Sequence, residues 1–425
     1  MTSTQRRVAI ACQGGGSHTA FTAGALSRFL QPDVLDEHQV VGVSGTSGGA
    51  ICAAIAWSSL LHRRPEDTEH LLERFWTANS ATSWTEQLVN SMMLWGHRMS
   101  ESVAVPAVSP YLNAGSTWSS TLLRRMIDET VDLAAAQEYA TASISDPMLL
   151  VGAVDVLQGV FRTFDSRDGE ISTDALLASA AIPNLFRSVR LGRNVYWDGL
   201  FSQNPPVHKL LDCDPDEVWV IQVNPSRVDA EPTTIGDIAT RRNELAGNLS
   251  LYQELGFIEQ VDDWLADGTI QSDRVKHITV RILEMERTPD SREWGYASKL
   301  NRDPDFISGL MDLGRRQAQE QVDAMAFEHA WNANERDPGA LMGRFADSAE
   351  VSSTHPLAPL ERTRDRERIR RFFDEFGLHV ATSRARVCAD GARWTVRSSL
   401  DRRIEACVRA SFDDGRIRTL TVSAD

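Results

Sequence analysis

The stretch that decides the fold is Val40-Val41-Gly42-Val43-Ser44-Gly45-Thr46-Ser47-Gly48-Gly49-Ala50-Ile51. A β-branched run ends there in a Gly-x-Ser-x-Gly motif, and an alanine-rich apolar segment follows as far as Trp57. This order predicts a strand, a sharp turn and a helix. Ser47 would lie at the turn, because glycines permit strained dihedral angles and leave room around the hydroxyl. The motif alone also arises by chance, and the strand before it and the helix after it give it weight.

The segments before and after this motif alternate between strand and helix. Residues 8–12 predict a buried strand, residues 20–29 and 48–61 predict helices, and a glycine-rich turn, Gly14-Gly15-Gly16, follows the first strand. This alternation predicts an α/β fold with a parallel sheet and helices on both faces. Ligands bind at the carboxyl ends of the strands in such sheets, and both glycine turns lie at that edge.

The same alternation continues to about residue 325. The predicted strands are 148–156, 160–165, 218–223 and 278–283, and the predicted helices are 172–181, 235–265 and 303–332. Residues 66–145 read as mostly helical, and their apolar residues predict either an adaptable wall for acyl chains or a plain core. Those residues are Trp84, Met92, Met93, Trp95 and Met99.

Beyond Pro338 the pattern changes to an antiparallel α+β module. An arginine-rich helix is predicted at 363–376, followed by strands at 380–390, 392–400, 404–412 and 416–422. Tight turns at Asp390-Gly391 and Asp414-Gly415 would join neighbouring strands. We therefore expect two domains, residues 1–325 and 326–425.

Charge and cysteine content narrow the class of protein. The chain of 425 residues has a net charge of −15, yet residues 326–425 carry 17 arginines and 16 acidic residues. The acidic first part argues against nucleic acid and against electrostatic docking on anionic lipid surfaces. Five cysteines without a Cys-x-x-Cys pair favour a reduced compartment over disulfides or zinc. No signal-peptide core or membrane span is evident, so a cytoplasmic protein is expected. The sequence also shows no cluster of metal ligands, and neither a metal nor a cofactor is expected.

A serine nucleophile needs a base and an oxyanion hole. The backbone N–H groups of Gly14, Gly15 and Gly16 are candidate oxyanion donors, although such a turn could also bind a nucleotide phosphate. No Gly-Lys-Ser/Thr follows, and Thr19 stands where a dinucleotide fingerprint has its third glycine. None of the ten histidines has the context of a triad member. Asp198 follows a strand and precedes glycine, so it is either a base or the first residue of a simple turn.

Three elements occur in order along the chain: the Gly14-Gly15-Gly16 turn, the Gly45-Thr46-Ser47-Gly48-Gly49 motif and Asp198-Gly199. Together they resemble the signature of patatin-like phospholipases. The resemblance covers about residues 7–325 and is closest to bacterial members. It continues through residues 173–183, Tyr196-Trp197-Asp198-Gly199, Asn204-Pro205 and residues 220–225.

The resemblance implies a three-layer α/β/α domain with a mostly parallel sheet and a lipid acyl hydrolase activity. Ser47 would be the nucleophile, Asp198 the base without a histidine, and the backbone of Gly14 to Gly16 the oxyanion hole. The expected partners are a lipid or acyl-ester substrate and, transiently, a lipid surface.

This sequence departs from the family pattern at two places. His18 and Thr19 stand where the family often has a basic residue and glycine, which could shift the oxyanion loop. Leu200 stands where glycine or alanine usually follows Asp-Gly, which narrows the space beside the base.

The last hundred residues are similar to SnoaL-like domains, which have the cone-shaped fold of nuclear transport factor two. The resemblance runs through residues 330–347, the helix at 364–373 and residues 412–417. It implies an accessory module and a homodimer through this domain. His355 and His379 are either pocket residues or ordinary satisfied side chains.

Two other functions compete with a serine lipid acyl hydrolase. The chain could be a non-catalytic lipid-binding or scaffold protein on a degenerate fold of the same kind, but the presence of Ser47, Asp198 and the glycine turn favours the enzyme. A cyclase or isomerase activity in the C-terminal module lacks a clear acid–base pair.

Overall fold

The structure is a computed structural model of the 425-residue chain. It describes residues 5–83, 86–88, 90–91, 109–112, 114–140, 146–183, 185–228, 230–286, 295–332, 338–376, 378–380, 384–388, 391–398 and 405–424. The chain divides into two compact units. The first comprises Met1–Ile278 and Met285–Arg315, and the second comprises Thr279–Glu284 and Arg316–Asp425.

The first unit is built on a mostly parallel sheet. Its strands are β1 (Arg6–Cys12), β2 (His38–Thr46), β3 (Met148–Asp155), β4 (Val160–Asp165), β5 (Val189–Leu191), β6 (Asn194–Asp198) and β7 (Glu217–Gln222). Their order is β7-β1-β2-β3-β6-β5, and β4 also pairs with β3. Strands β7, β1, β2 and β3 run parallel, whereas β4, β5 and β6 pair antiparallel.

Strand β1 explains why this sheet is central to the unit. Residues 8–12 are completely buried on both faces, as expected of an apolar strand inside a parallel sheet. Cys12 lies opposite Gly45 of β2 and Ile221 of β7. The carboxyl ends of these three strands therefore meet at one edge, where the turn before α1 and the turn containing Ser47 both emerge.

Helices connect and cover these strands. They are α1 (Ala20–Phe29), α2 (Pro32–Leu35), α3 (Gly48–Leu61), α4 (Asp67–Asn79), α5 (Ala114–Thr130), α6 (Leu133–Tyr139), α7 (Thr173–Ser179) and α8 (Ile235–Ala266). Helix α3 packs against β2 and β3 and is buried over most of its circumference. The α/β class predicted from the sequence is confirmed. The proposed apolar wall around Trp84 to Met99 lies outside the described residues. No helix among the described ranges combines the length and apolarity needed to cross a bilayer.

The second unit has a mostly antiparallel sheet. Its strands are β8 (Thr279–Glu284), β9 (Phe345–Ser353), β10 (Leu360–Thr363), β11 (Leu378–Val380), β12 (Arg384–Cys388), β13 (Gly391–Ser398), β14 (Glu405–Asp413) and β15 (Arg416–Ser423). The order is β10-β9-β15-β14-β13-β12-β8, with β11 on β13. Its helices are the part of α9 (Pro304–Asn332) beyond Arg315, α10 (Pro338–Gly343) and α11 (Arg366–Phe376).

An aromatic cluster forms the core of the second unit. The ring of Phe327 lies 5.3 Å from Trp331, 5.7 Å from Phe345 and 5.7 Å from Trp394. Trp331 in turn contacts Phe373 of α11 at 5.1 Å between centroids. These large buried side chains come from α9, β9, α11 and β13, so the unit has a hydrophobic core of its own.

The division between the units differs from the expected boundary at 325/326. It falls after Arg315, and strand β8 groups with the second unit because it pairs in parallel with β12, from Val280 opposite Arg384 to Leu283 opposite Val387. Strands β9 and β10 were not predicted. The Asp414-Gly415 turn joins β14 and β15 with positive φ at both residues, 48° and 70°, as a two-residue hairpin requires.

Candidate active site

Ser47 lies between the last residue of β2 and the first residue of α3. Its φ of 56° and ψ of −131° are rare for a residue with a side chain, so the turn is strained. Hydrogen bonds hold it. The Ser47 N–H donates to Ser179 Oγ at 2.9 Å, and the Ser179 hydroxyl donates to the Gly152 carbonyl at 2.6 Å. The Ser47 carbonyl accepts from the Ala50 N–H at 2.9 Å.

The two turns pack so closely that two positions after Ser47 exclude any side chain. A Cβ atom on Gly48 would lie 2.2 Å from Thr19 Oγ1, and one on Gly49 would lie 2.5 Å from the Cys12 carbonyl. Both distances are far below van der Waals contact. The glycines of the motif therefore bring the start of α3 directly against the glycine turn that follows β1.

The three glycines of that turn are not equivalent. The Gly14 N–H donates to Asn204 Oδ1 at 2.7 Å, so it is not available to an oxyanion in this arrangement. Within the described part of the chain, the N–H groups of Gly15 and Gly16 make no hydrogen bond. Gly16 has φ of +58°, and its carbonyl accepts from Thr19 Oγ1 at 2.7 Å. Of the three predicted donors, Gly15 and Gly16 remain available.

Buried side-chain amides of Gln13 and Asn204 hold the glycine turn in place through hydrogen bonds to neighbouring segments. Gln13 Oε1 accepts from the N–H groups of Val223 and Asn224 at 3.0 and 2.8 Å, and Gln13 Nε2 donates to Asn248 Oδ1 at 2.8 Å. Asn204 Nδ2 donates to the Gly247 carbonyl at 3.2 Å. Satisfied buried networks of this kind rigidify what they hold, so the turn is tied to α8 and to the end of β7.

Asp198 is the last residue of β6 and is 1% exposed. Its Oδ1 accepts from the Leu200 N–H at 2.8 Å, while Oδ2 has no hydrogen bond of ordinary geometry from any described residue. Burial raises the pKa of Asp198 from 3.8 to about 7. The Leu200 N–H, the nearby Ser47 hydroxyl and the charge of Lys299 each lower this pKa and offset part of the effect. The carboxyl thus has a pKa near neutrality and one oxygen without a hydrogen bond from the described residues.

One cavity unites the predicted site residues. Ser47, Asp198 and the three glycines line it together with Ile182, Leu200, Lys299 and Leu300. Its volume is about 20 Å³, which is room for roughly one water molecule. The structure therefore brings all five predicted site residues to one small space with apolar walls. No group of His, Cys, Asp and Glu that could hold a metal ion occurs among the described residues.

The departures from the family pattern have defined positions. His18 is buried, and its Nε2 lies 2.8 Å from Ser298 Oγ, outside the cavity lining. Thr19 holds the turn through the hydrogen bond to Gly16. Leu200 lines the cavity beside Asp198, and a Cβ atom on Gly247 of α8 would lie 3.0 Å from its Cδ1. Leu200 and Asp198 are thus both lining residues of the same cavity.

Lys299 was missed by the sequence reasoning. It lines the cavity, donates to Asn224 Oδ1 at 2.6 Å and lowers the pKa of Asp198. A weak signal was available, because only three lysines occur in the chain and every other cationic residue except histidine is an arginine. Rarity alone does not place a lysine at the cavity, because Lys209 and Lys276 pair with acidic residues elsewhere.

Replacing Lys299 with methionine should move the pH dependence of activity. A base acts in its deprotonated form, so activity rises with pH through the pKa of Asp198. Without the positive charge that pKa increases, and we expect the acid limb of kcat/KM to move upward by about 0.5–1 pH unit. The matched control is Lys276→Met, whose ammonium pairs with Asp214 and Asp216 outside the cavity. An acid limb that stays in place would contradict this role for Lys299.

A protein-family model matches part of the first unit. The model of the patatin-like phospholipase family matches residues 10–211. No curated protein matches the chain. Among solved structures, VipD from Legionella pneumophila is 12% identical, with a TM-score of 0.34 over 80% of this chain and 79% of VipD. The type III effector ExoU of Pseudomonas aeruginosa is 13% identical, with a TM-score of 0.22 over 80% of this chain and 69% of ExoU.

A third solved structure is similar to a shorter part of the chain. An NTF2-like protein of unknown function from Cytophaga hutchinsonii is 17% identical, with a TM-score of 0.21. The match covers 25% of this chain and 89% of that protein.

Proposed function

We propose that this chain, whose residues 10–211 form a patatin-like phospholipase domain, is a serine-dependent lipid acyl hydrolase. Its substrates would be phospholipids, lysophospholipids or other carboxylic esters. The observation that carries the proposal is the shared cavity. A strained serine, a buried carboxylate with a free oxygen and a pKa of about 7, and two N–H groups without partners all face it. These are the three parts that acyl transfer requires.

In the first half of the reaction, Ser47 Oγ attacks the carbonyl carbon of the ester and Asp198 accepts the hydroxyl proton. The N–H groups of Gly15 and Gly16 donate to the oxygen that becomes negative. The bond from carbon to the alcohol oxygen then breaks, and Asp198 returns the proton to the leaving alcohol. An acyl group remains on Ser47.

In the second half, Asp198 takes a proton from water, and the resulting hydroxide adds to the carbonyl of the acylated serine. Collapse of this intermediate releases the carboxylic acid, and Asp198 protonates Ser47 Oγ. A pKa of about 7 suits this alternation, because the group gives and takes a proton with similar ease near neutral pH.

Substrate entry requires movement at the wall of the cavity. A volume of about 20 Å³ holds roughly one water molecule and no ester group. Leu200 and Leu300 are the cavity-lining leucines, and their side chains would have to swing aside. The hydrolase is therefore expected to favour esters presented as aggregates or lipid surfaces, whose acyl chains can take the place of these side chains.

A fluorophosphonate probe tests the proposal directly. It reacts with activated serines, so peptide mapping by mass spectrometry should find the label on Ser47 and nowhere else in the chain. Turnover of short acyl esters should stop in step with labelling. A protein that binds lipid vesicles but neither takes the label nor hydrolyses esters would be the lipid-binding scaffold instead.

We also propose that the second unit is an accessory SnoaL-like module that can dimerise. Its support is a separate aromatic core and a mostly antiparallel sheet. The Nδ1 atom of the buried His355 accepts from the Leu357 N–H at 3.2 Å, so this nitrogen is not available to a ligand. The side chain of His379 lies outside the described residues. Light scattering of the full chain tests the dimer.

A further inference from the structure

A second cavity in the first unit is much larger than the catalytic one. Its volume is about 290 Å³. It is lined by Ser120, Thr121, Leu123 and Arg124 of α5, by Leu177, Ala180 and Ala181 at the end of α7, and by Phe186, Arg187, Ser188 and Val189. This volume approaches the lower limit of typical ligand pockets, which is about 300 Å³.

This cavity lies beside the catalytic pair. Ala181 lines it, and the next residue, Ile182, lines the catalytic cavity. The Ala181 carbonyl accepts from the Asp198 N–H at 3.0 Å, and Ser179 Oγ accepts from the Ser47 N–H. One short segment after α7 therefore positions both reacting residues and forms a wall of the larger cavity. A ligand there would lie next to the reacting ester.

Arg187 places a fixed positive charge at this cavity. Its Nε and Nη2 donate to the carbonyls of Pro110 and Tyr111 at 3.2 and 3.0 Å, and its guanidinium lies 5.8 Å from the centre of the Tyr111 ring. Within the described residues no carboxylate lies at ion-pair distance from it. Arg124 on the facing helix is in contact with Asp174, so only one of the two arginines is neutralised.

The sequence around Arg187 is locally basic in an acidic chain. Between Asp174 and Asp198 there are three arginines, Arg187, Arg190 and Arg193, and no acidic residue, although the whole chain carries −15. Guanidinium groups match the geometry of phosphate oxygens and are favoured for phosphate recognition. The remaining lining combines hydroxyls with apolar side chains such as Leu177 and Phe186. An amphipathic anion fits such a lining better than a bare hydrocarbon chain.

We propose that this second cavity binds the phosphate-bearing part of a glycerophospholipid substrate, with Arg187 as the phosphate ligand. The proposal rests on the proposed hydrolase function and adds the residue that would select anionic substrates. The two cavities adjoin at Ala181 and Ile182, so a lipid with its phosphate in the larger cavity would have to pass over this segment to bring its ester carbonyl to Ser47 and Asp198.

The test compares two ligands that differ only in the phosphate. One is a short-chain lysophosphatidic acid and the other is the monoacylglycerol with the same acyl chain, both below their aggregation concentration. Binding is measured by calorimetry on the Ser47→Ala protein, where no turnover occurs. We expect the phosphate ligand to bind at least about 10-fold more tightly, because hydrogen bonds to charged groups are the stronger ones. Arg187→Gln should abolish most of that preference, and Arg187→Lys should restore part of it.

Arg125→Gln is the matched control. Arg125 neighbours Arg124 on α5, but it pairs with the exposed Glu129 and does not line the cavity. The preference should survive this change. An equal affinity for the two ligands in the parent, or a preference that survives Arg187→Gln, would overturn the proposal.

Inorganic phosphate separates the two sources of the anion. If phosphate alone binds as tightly as the lipid and also depends on Arg187, the cavity is a site for free phosphate and the lipid proposal is wrong. A different outcome would show that the hydrolase function is wrong while the phosphate site is right. In that case the unsubstituted chain cleaves neither ester, while the phosphate preference in binding persists.

Discussion

Ser47→Ala is expected to lower the hydrolysis of short acyl esters by about 10⁴-fold or more, to the background rate. The change removes the attacking oxygen and leaves the turn intact, because the Ser47 N–H and carbonyl make the hydrogen bonds that hold it. At a backbone φ of 56°, alanine and serine meet the same steric restriction, because both carry a Cβ atom. The melting temperature should therefore stay close to that of the parent while turnover and probe labelling disappear.

Ser44→Ala is the matched control for this prediction. Ser44 lies three residues earlier on β2, is completely buried, and its Oγ has no hydrogen-bond partner among the described residues. The Ser44→Ala change also removes a buried hydroxyl from β2, but Ser44 does not line the cavity. Full activity in Ser44→Ala and measurable turnover in a folded Ser47→Ala protein would together contradict the assignment of Ser47 as the nucleophile.

The position of Ser47 could be predicted because its cause is local. The Gly-x-Ser-x-Gly spacing, the β-branched run before it and the alanine-rich run after it are all within a few residues of the turn. The parallel sheet then follows from the alternation of strands and helices, which places both glycine turns at one edge. Short-range pattern was thus sufficient for the α/β class and for the meeting of Ser47 with the glycine turn.

The contacts that refine the site come from distant parts of the chain. Asn204 is 190 residues beyond Gly14, to which it binds, and Lys299 reaches the cavity from near the end of the first unit. A side-chain amide or a lysine carries no local mark of such a contact. The sheet order and the path of α8 must be known before one can tell that the Gly14 N–H is already hydrogen-bonded, whereas those of Gly15 and Gly16 are not.

The second unit shows the same limit at the level of strands. The segment that forms β9, FADSAEVSS, holds few apolar residues and lacks a clear alternation, so its strand character comes from pairing with β10 and β15. Strand β8 was predicted as a strand, but its own sequence does not specify that β12 is its neighbour. A cut near Met325 would therefore separate β8 from its partner.

Asp198→Asn is expected to lower kcat by about 10²–10⁴-fold, since an amide cannot accept the serine proton. The control for a conventional triad is His208→Ala, an exposed histidine outside the cavity lining, which should keep full activity. His18, which lies beside the glycine turn but outside the cavity lining, should also be dispensable for proton transfer. A histidine substitution as damaging as Asp198→Asn would indicate a triad.

The same substitution should raise stability, and the pH dependence gives its sign. The pKa of Asp198 is about 7 in the folded protein and 3.8 as the reference value. Between these values the folded state holds more protons than the unfolded state, so the free energy of unfolding falls as pH rises through this window. At pH 8 the buried carboxyl is mostly charged, and its neutral replacement should be more stable by up to about 4 kcal/mol, at 1.36 kcal/mol for each pKa unit.

Asp155→Asn distinguishes this gain from the effect of any buried carboxylate. Asp155 is buried to a similar degree at the end of β3, but its Oδ1 accepts from the N–H groups of both Leu157 and Gln158, as a turn-forming aspartate does. Its substitution should leave activity unchanged and should not raise stability. Chemical unfolding of both variants at pH 5 and pH 8 gives the comparison. A lower stability of Asp198→Asn at pH 8 would make Asp198 a structural Asp-Gly turn, whereas a gain in stability combined with lost turnover is what a base held in an unfavourable environment produces.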